Sequence, residues 1–450
     1  GSKINSDGHI DAHFTGKAAF LSLDLVHQKA GSLKLAAGAA NLDDVRLLYD
    51  PDGTIDLAGG AALSADGMDL RLHDGTAVAL DGATIGMSGL RASLPASGQP
   101  SLAAKTHVDV RSLRLGGRWV EGTADAVAMR LEDLAFDGKN APAPLAARGT
   151  VAVGRLALVL PLKKPIRIGA EAISLELPGM RFGFGPRTVI DGPLGIDLSS
   201  FALAVLKRAT PQAPEHALVD IGAGRILGEL SALGLDDAPG LTQVKVATPS
   251  LAVERFRLGA PVAPGQDMEI TSSLTLRSTD IGVSDGAKLD VSGTTDLGTP
   301  KLVISIGGAR DRSVIDFTGF TFNPRSFAYR ENGPNSDFAF GGRVVADAAA
   351  ARLPDAATGA ATIADLGRLH TTVADLGMDI DNPSPQWRAR HLDMDLASLS
   401  AAVPGALSMM LDLKNVSLGD GIAASQGKGE YGFDRLAIGR VDASLTRAPK

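Results

Sequence analysis

The chain contains no cysteine, few aromatic residues and no basic field, and each shortage removes a class of function. Without cysteine in 450 residues there is no disulfide staple, no thiolate metal site and no cysteine nucleophile. Aromatics are only 4% of the chain, whereas a thick globular core recruits more Phe, Tyr and Trp. A net charge of −7, with no Lys/Arg cluster interleaved with aromatics, excludes nucleic acid as an expected partner. The densest basic stretch, Lys163, Lys164 and Arg167 around Pro165, reads as a solvated hairpin rim. No run of 18 apolar residues is present to cross a bilayer as a helix. Of the eight histidines only His9 and His13 are close, in an extended stretch, so neither metal nor cofactor is expected.

What the chain does have is glycine and alternation. Eight of its 53 glycines fall between Gly59 and Gly98, at positions 59, 60, 67, 75, 82, 86, 89 and 98, and the intervals carry apolar residues at every second place. Met68, Leu70 and Leu72 alternate with Asp69, Arg71 and His73. Such a row gives a strand one apolar and one polar face, with glycine taking turn conformations. The pattern recurs at Val108/Val110, Leu156/Leu158/Leu160, Ile173/Leu175/Leu177, Leu274/Leu276, Ile315/Phe317, Leu392/Met394/Leu396 and Tyr431/Phe433. An all-β fold of many short, mainly antiparallel strands is expected, drawn out as an elongated sheet because the apolar mass is Ala, Leu, Val and Ile. Helical spacing is confined to Ile363, Leu366, Leu369 and Val373, and to Leu396, Leu399, Val403 and Leu407 with Pro404 interrupting. These two stretches predict a few short helices lying on the sheet; Phe201 to Leu206 fits either a helix or a strand. Proline-rich breaks at 210–214, 323–335 and 381–386 suggest loose segments 1–210, 211–340 and 341–450, or one continuous elongated domain.

Three motifs invite chemistry, and their surroundings argue against it. Residues 219–228, VDIGAGRILG, imitate a nucleotide loop, but the glycine spacing is one residue too long and strand-like alternation follows. Gly282 to Gly286 spells GxSxG around Ser284, yet Leu289 and Val291 continue as a strand where the hydrolase elbow needs a helix. Asp50 to Asp56 resembles a calcium loop, but Leu48 and Gly59 fall where carboxylates are required, so DPDG reads as a hairpin turn. Asp69, Asp81, Asp109 and Asp133 read as a solvated face. No catalytic residue is assigned.

Segments such as GTIDLAGGAALSADGMDLRLHDGTAVALDG, LAARGTVAVGRLALVLP and AKLDVSG resemble the periplasmic repeats of the AsmA-like, TamB and YdbH group over most of the chain. The resemblance implies a curved β-sheet forming an apolar groove, along which lipids pass between inner and outer membranes. It also implies a periplasmic protein anchored through an N-terminal segment, which would lie upstream of the tag-like Gly1-Ser2.

The leading expectation is therefore a non-enzymatic bacterial envelope protein that binds or conducts phospholipid or another membrane lipid. Its candidate groove-lining residues are Met68, Leu70, Leu72, Val108, Val110, Ile173, Leu175, Leu177, Leu274, Leu276, Ile315 and Phe317. An exposed sheet end would suit an envelope protein partner. Two alternatives remain: a structural or adhesive β-solenoid with a filled core, and a hydrolase resting on Ser284 alone.

Overall fold

The computed structural model describes residues 2–4, 9–27, 31–73, 75–117, 120–140, 142–161, 165–183, 187–207, 216–263, 265–285, 289–308, 312–332, 335–354, 360–379, 387–403, 407–424, 430–432 and 434–447. These residues form 25 strands and no helix. The chain divides into two compact units, Gly1–His216 with Ile226–Pro239, and Ala217–Arg225 with Gly240–Lys450.

In the first unit the strands are β1 (Ser2–Ile4), β2 (Ile10–Phe20), β3 (Leu23–His27), β4 (Gly31–Leu35), β5 (Gly38–Tyr49), β6 (Ile55–Leu72), β7 (Ala77–Leu94), β8 (Ser101–Gly116), β9 (Glu121–Asp137), β10 (Leu145–Leu160), β11 (Ile166–Gly183), β12 (Thr188–Lys207) and the later part of β13 (His216–Ala238). From β5 to β12 each strand pairs antiparallel with the next, a hairpin meander. β4 and β5 lie end to end along β6 as one bent strand. The DPDG turn joins β5 to β6: Gly53 N–H donates to Asp50 O at 2.8 Å, and Thr54 N–H donates to Asp52 Oδ1 at 2.8 Å.

The second unit holds the start of β13 and β14 (Leu241–Ala263), β15 (Gln266–Asp285), β16 (Leu289–Gly307), β17 (Ser313–Asn332), β18 (Asn335–Ala346), β19 (Ala348–Pro354), β20 (Ala361–Leu366), β21 (Leu369–Asp379), β22 (Trp387–Val403), β23 (Leu407–Ala424), β24 (Glu430–Gly432) and β25 (Arg435–Arg447). Its ladders are also antiparallel. β18 with β19, and β20 with β21, are two further bent strands: the first runs along β17, and the second pairs with the first.

The all-β antiparallel architecture agrees with the alternation in sequence, and the expected helices do not. Ile363 to Val373 belong to β20 and β21, Leu396 to Val403 to β22, and Phe201 to Leu206 to β12. The physical reason is a step that recurs in the strands. On β7 the apolar side runs Val78, Leu80, then Ala83, Ile85, because Asp81 and Gly82 together turn the chain by one extra residue, Gly82 at φ 59°. β9 makes the same step between Ala124 and Val127 through Ala126 at φ 51°, and β11 between Ala170 and Ile173 through Ala172 at φ 49°. β20 to β21 steps from Leu366 to Leu369, and β22 from Leu396 to Leu399. An extra residue in a strand produces the i, i+3 apolar spacing of a helix while the ladder continues.

The same step explains the glycine rhythm. Gly59, Gly60, Gly67, Gly82, Gly86 and Gly89 lie inside β6 and β7, leaving only Gly75 and Gly98 of that series outside strands, and β6 to β17 are 16 to 23 residues long. The inner glycines therefore do not carry the turns that the alternation predicts for them. A second line of irregularity crosses the first unit, and there the odd-numbered strands β5, β7, β9 and β11 each carry one residue more than their neighbours. Gly149 on β10 sits in that line at φ 151°, and a Cβ there would lie 2.0 Å from Arg130 O. Only glycine fits so close an approach.

Candidate functional site

In each unit the register brings the apolar residues of successive strands into continuous rows on one face. Val108 lies opposite Ile85 on one side and Met129 on the other. The row extends through Leu63 to Ala40, and in the other direction through Val151 and Leu175 to Ile196, crossing eight strands without a polar side chain. Val110 and Ile173 share the adjacent row, and Leu177 lies opposite Gly149. Met68 faces Leu35 and Leu80, and Leu70 faces Leu33 and Val78. Leu72 ends its strand opposite Gly31 and is 39% exposed.

The second unit repeats the arrangement. Ile315 is opposite Ile304 and Ala351, and Phe317 is opposite Leu302 and Ala349, with the Phe320 ring 5.6 Å from that of Phe317. Leu274 pairs with Val253, and Leu276 pairs with Leu251 and Leu297. All twelve sequence-derived candidates therefore fall on the apolar face of their own unit. Leu63, Ile85, Met129, Val151 and Ile196 belong there equally. Their signal was present as alternation, but the shift in phase at each step hid which of them share a side.

Burial on this face is shallow. Val110, Ile173 and Leu177 are buried at 6–8% exposure, and most of their row neighbours are half-buried. Among the described residues no large side chain is fully buried. A closed two-layer core would contain many such side chains. Hydroxyls occur in a few places on the face. Thr279 and Thr295 bond to each other at 2.6 Å, and Ser272 donates to Thr299 at 2.7 Å. Thr106, 7% exposed, has a buried hydroxyl with no partner.

The opposite face carries the charges, as cross-strand pairs. Arg130 of β9 donates to Asp109 of β8 at 2.6 Å, Lys301 of β16 to Asp316 of β17 at 2.8 Å, and Arg330 of β17 to Asp290 of β16 at 3.1 Å. Arg46 grips Asp11 through Nε at 3.0 Å and Nη2 at 2.8 Å, and that carboxylate raises its pKa. Asp81 and Asp69 pair with Arg111 and Arg71, while Asp133 is exposed. The Arg187 guanidinium takes both oxygens of Asp236, and these hydrogen bonds, with the charge behind them, hold the Asp236 carboxyl below its usual pKa.

The apparent catalytic motifs are parts of strands. Ser284 lies in β15 opposite Gln243 and Asp290, and residues 219–228 lie within β13. His9 contacts Asp50 at 2.8 Å, and His13 approaches Asp11 at 3.4 Å and Asp44 at 3.7 Å. No group of three or more His, Cys, Asp or Glu among the described residues could hold a metal ion. Lys163, Lys164, Gly286, Lys288, Pro404, Phe433 and the breaks at 210–214 and 381–386 lie outside the described residues. Comparison with protein-family models yields no match, and neither does comparison with curated proteins.

Proposed function

We propose that this protein binds the acyl chains of a phospholipid or another membrane lipid along its apolar face and lets them slide there. We place it in the bacterial periplasm, as a binding protein that catalyses no reaction. The observation that carries this reading is the unbroken apolar row from Ala40 to Ile196, whose large side chains are only partly covered. Each CH₂ removed from water contributes about 0.8 kcal/mol, so a chain of a dozen or more methylenes is held firmly overall. Neighbouring strands stand about 4.8 Å apart and present nearly equivalent side chains, so movement by one strand exchanges like contacts for like. The resemblance of the repeats to the AsmA-like group supports the same cargo and compartment. A β-solenoid stacks its coils in parallel, whereas the ladders here are antiparallel hairpins, which weighs against the filled-core alternative.

The test is mass spectrometry of organic extracts of the purified protein. Near-stoichiometric lipid is expected, and Leu70→Glu with Leu175→Glu should remove it while circular dichroism still reports a β-sheet. Extracts free of lipid from several expression conditions would overturn the reading.

A further inference from the structure

The polar face of the first unit has one feature that solvation does not explain. Leu48 is the only large aliphatic side chain on that face of β5, β6, β7 and β8, where alternation otherwise places Asp, Arg, Ser, Thr, Lys, His, Asn, Ala and Gly. It lines a pocket of about 410 Å³ together with Ala58 and Ala103, with Arg46 and Asp56 on one side and Arg91 and Ser93 on the other. That volume falls in the range of small-molecule sites, which join apolar walls to a few converging polar groups.

The charges in the pocket specify the guest. Arg46 and Arg91 flank Ala58 on the neighbouring strands, since Ala58 pairs with both. Arg46 is already neutralised by Asp11. The side chains of Arg91 and Asp56 have no ion-pair or hydrogen-bond partner among the described residues. Because Asp56 pairs with Ser93 and Ala58 with Arg91, Asp56 and Arg91 are diagonal neighbours, whose Cα atoms in an antiparallel ladder stand about 7–8 Å apart. One unpaired cation and one unpaired anion over an apolar floor complement a guest that carries both charges and an apolar tail. A purely anionic guest would face the Asp56 carboxylate.

We propose that this pocket binds the head of a zwitterionic lipid, with a phosphodiester over Ala58 against Arg91, a primary ammonium on Asp56, and the first tail carbons on Leu48 and Ala103. Guanidinium suits a phosphate through paired N–H donors, and a carboxylate suits an ammonium. The site lies on the face opposite the apolar rows and does not depend on the proposed function.

The test uses monomeric dihexanoyl phosphatidylethanolamine, measured by calorimetry in a Leu175→Glu background so that the apolar face is disabled separately. Arg91→Gln should weaken binding of this lipid, and of the anionic dihexanoyl phosphatidylglycerol, about tenfold. Asp56→Asn should weaken the ethanolamine lipid to a similar degree and leave the glycerol lipid unchanged or tighter. Leu48→Ser should weaken both. Unchanged discrimination between the two lipids in Asp56→Asn would overturn the proposal. So would binding that is lost in Leu175→Glu alone, or binding in that background that Arg91→Gln leaves unchanged. Free leucine binding as tightly as the ethanolamine lipid would assign the pocket to small zwitterions and overturn the lipid attribution.

Discussion

Replacing Gly149 with alanine tests whether the second line of extra residues is built into the register. At φ 151° a non-glycine residue costs about 1–3 kcal/mol in backbone strain. The added Cβ would also stand 2.0 Å from Arg130 O and 2.8 Å from Leu131 Cα, so the β9–β10 ladder must open there. Losing one or two ladder hydrogen bonds adds about 1 kcal/mol each. The sum, about 3 kcal/mol, should lower the melting temperature by roughly 6–12 °C for a unit of this size. Gly179 on β11 lies in the same line of irregularity with nothing within 4 Å of a Cβ and no positive φ, so Gly179→Ala should be neutral or should stabilise by about 0.5 kcal/mol. Thermal melts followed by circular dichroism compare the two variants directly. If Gly149→Ala melts within a degree of the parent, the register described for β9, β10 and β11 is wrong.

Three further outcomes can be checked. Ile173→Ala should cost about 2 kcal/mol in urea titrations, at the low end for aliphatic truncation, because its face lacks a covering layer; a cost above 4 kcal/mol would indicate a filled core. Thr106→Val replaces an unpartnered buried hydroxyl with a methyl group and should stabilise by about 1 kcal/mol, whereas destabilisation would show that the hydroxyl has a partner. Arg187 depresses the Asp236 pKa, so the stability from this pair is present above the ordinary carboxylate value of about 3.9 and disappears as pH falls through the lowered folded value. The advantage of the wild type over Asp236→Asn should therefore be full at pH 7 and shrink as pH falls below the ordinary carboxylate value, and a gap that does not change with pH would refute the assignment.

Much of the fold was legible in sequence because strand alternation is a local property. Met68, Leu70, Ile173, Leu175 and Leu177 announce one face by period two alone, and register then carries that face across the neighbouring strands. The helices and turns were misread where the backbone takes an extra residue. Leu366 with Leu369, and Leu396 with Leu399, have helical spacing but sit on either side of such a step, and Gly82 reads as a turn although it lies mid-strand. Nothing local distinguishes these cases, since the ladder partner that decides them is distant in sequence. The polar-face pocket is not legible either: in sequence Leu48 stands out only as a misfit in a calcium loop, and its partners Arg91 and Ser93 are more than 40 residues away.

The alternation of longer and shorter strands in the first unit restricts how such a protein can change length in evolution. Because β5, β7, β9 and β11 carry the extra residue and β6, β8 and β10 do not, removing one strand would leave two strands of the same kind side by side. The bulge that each longer strand makes against a shorter neighbour would then have no counterpart, and the irregular line would be interrupted at that pair. Growth or shrinkage by whole hairpins preserves the match, so natural variants of this architecture should differ by even numbers of strands.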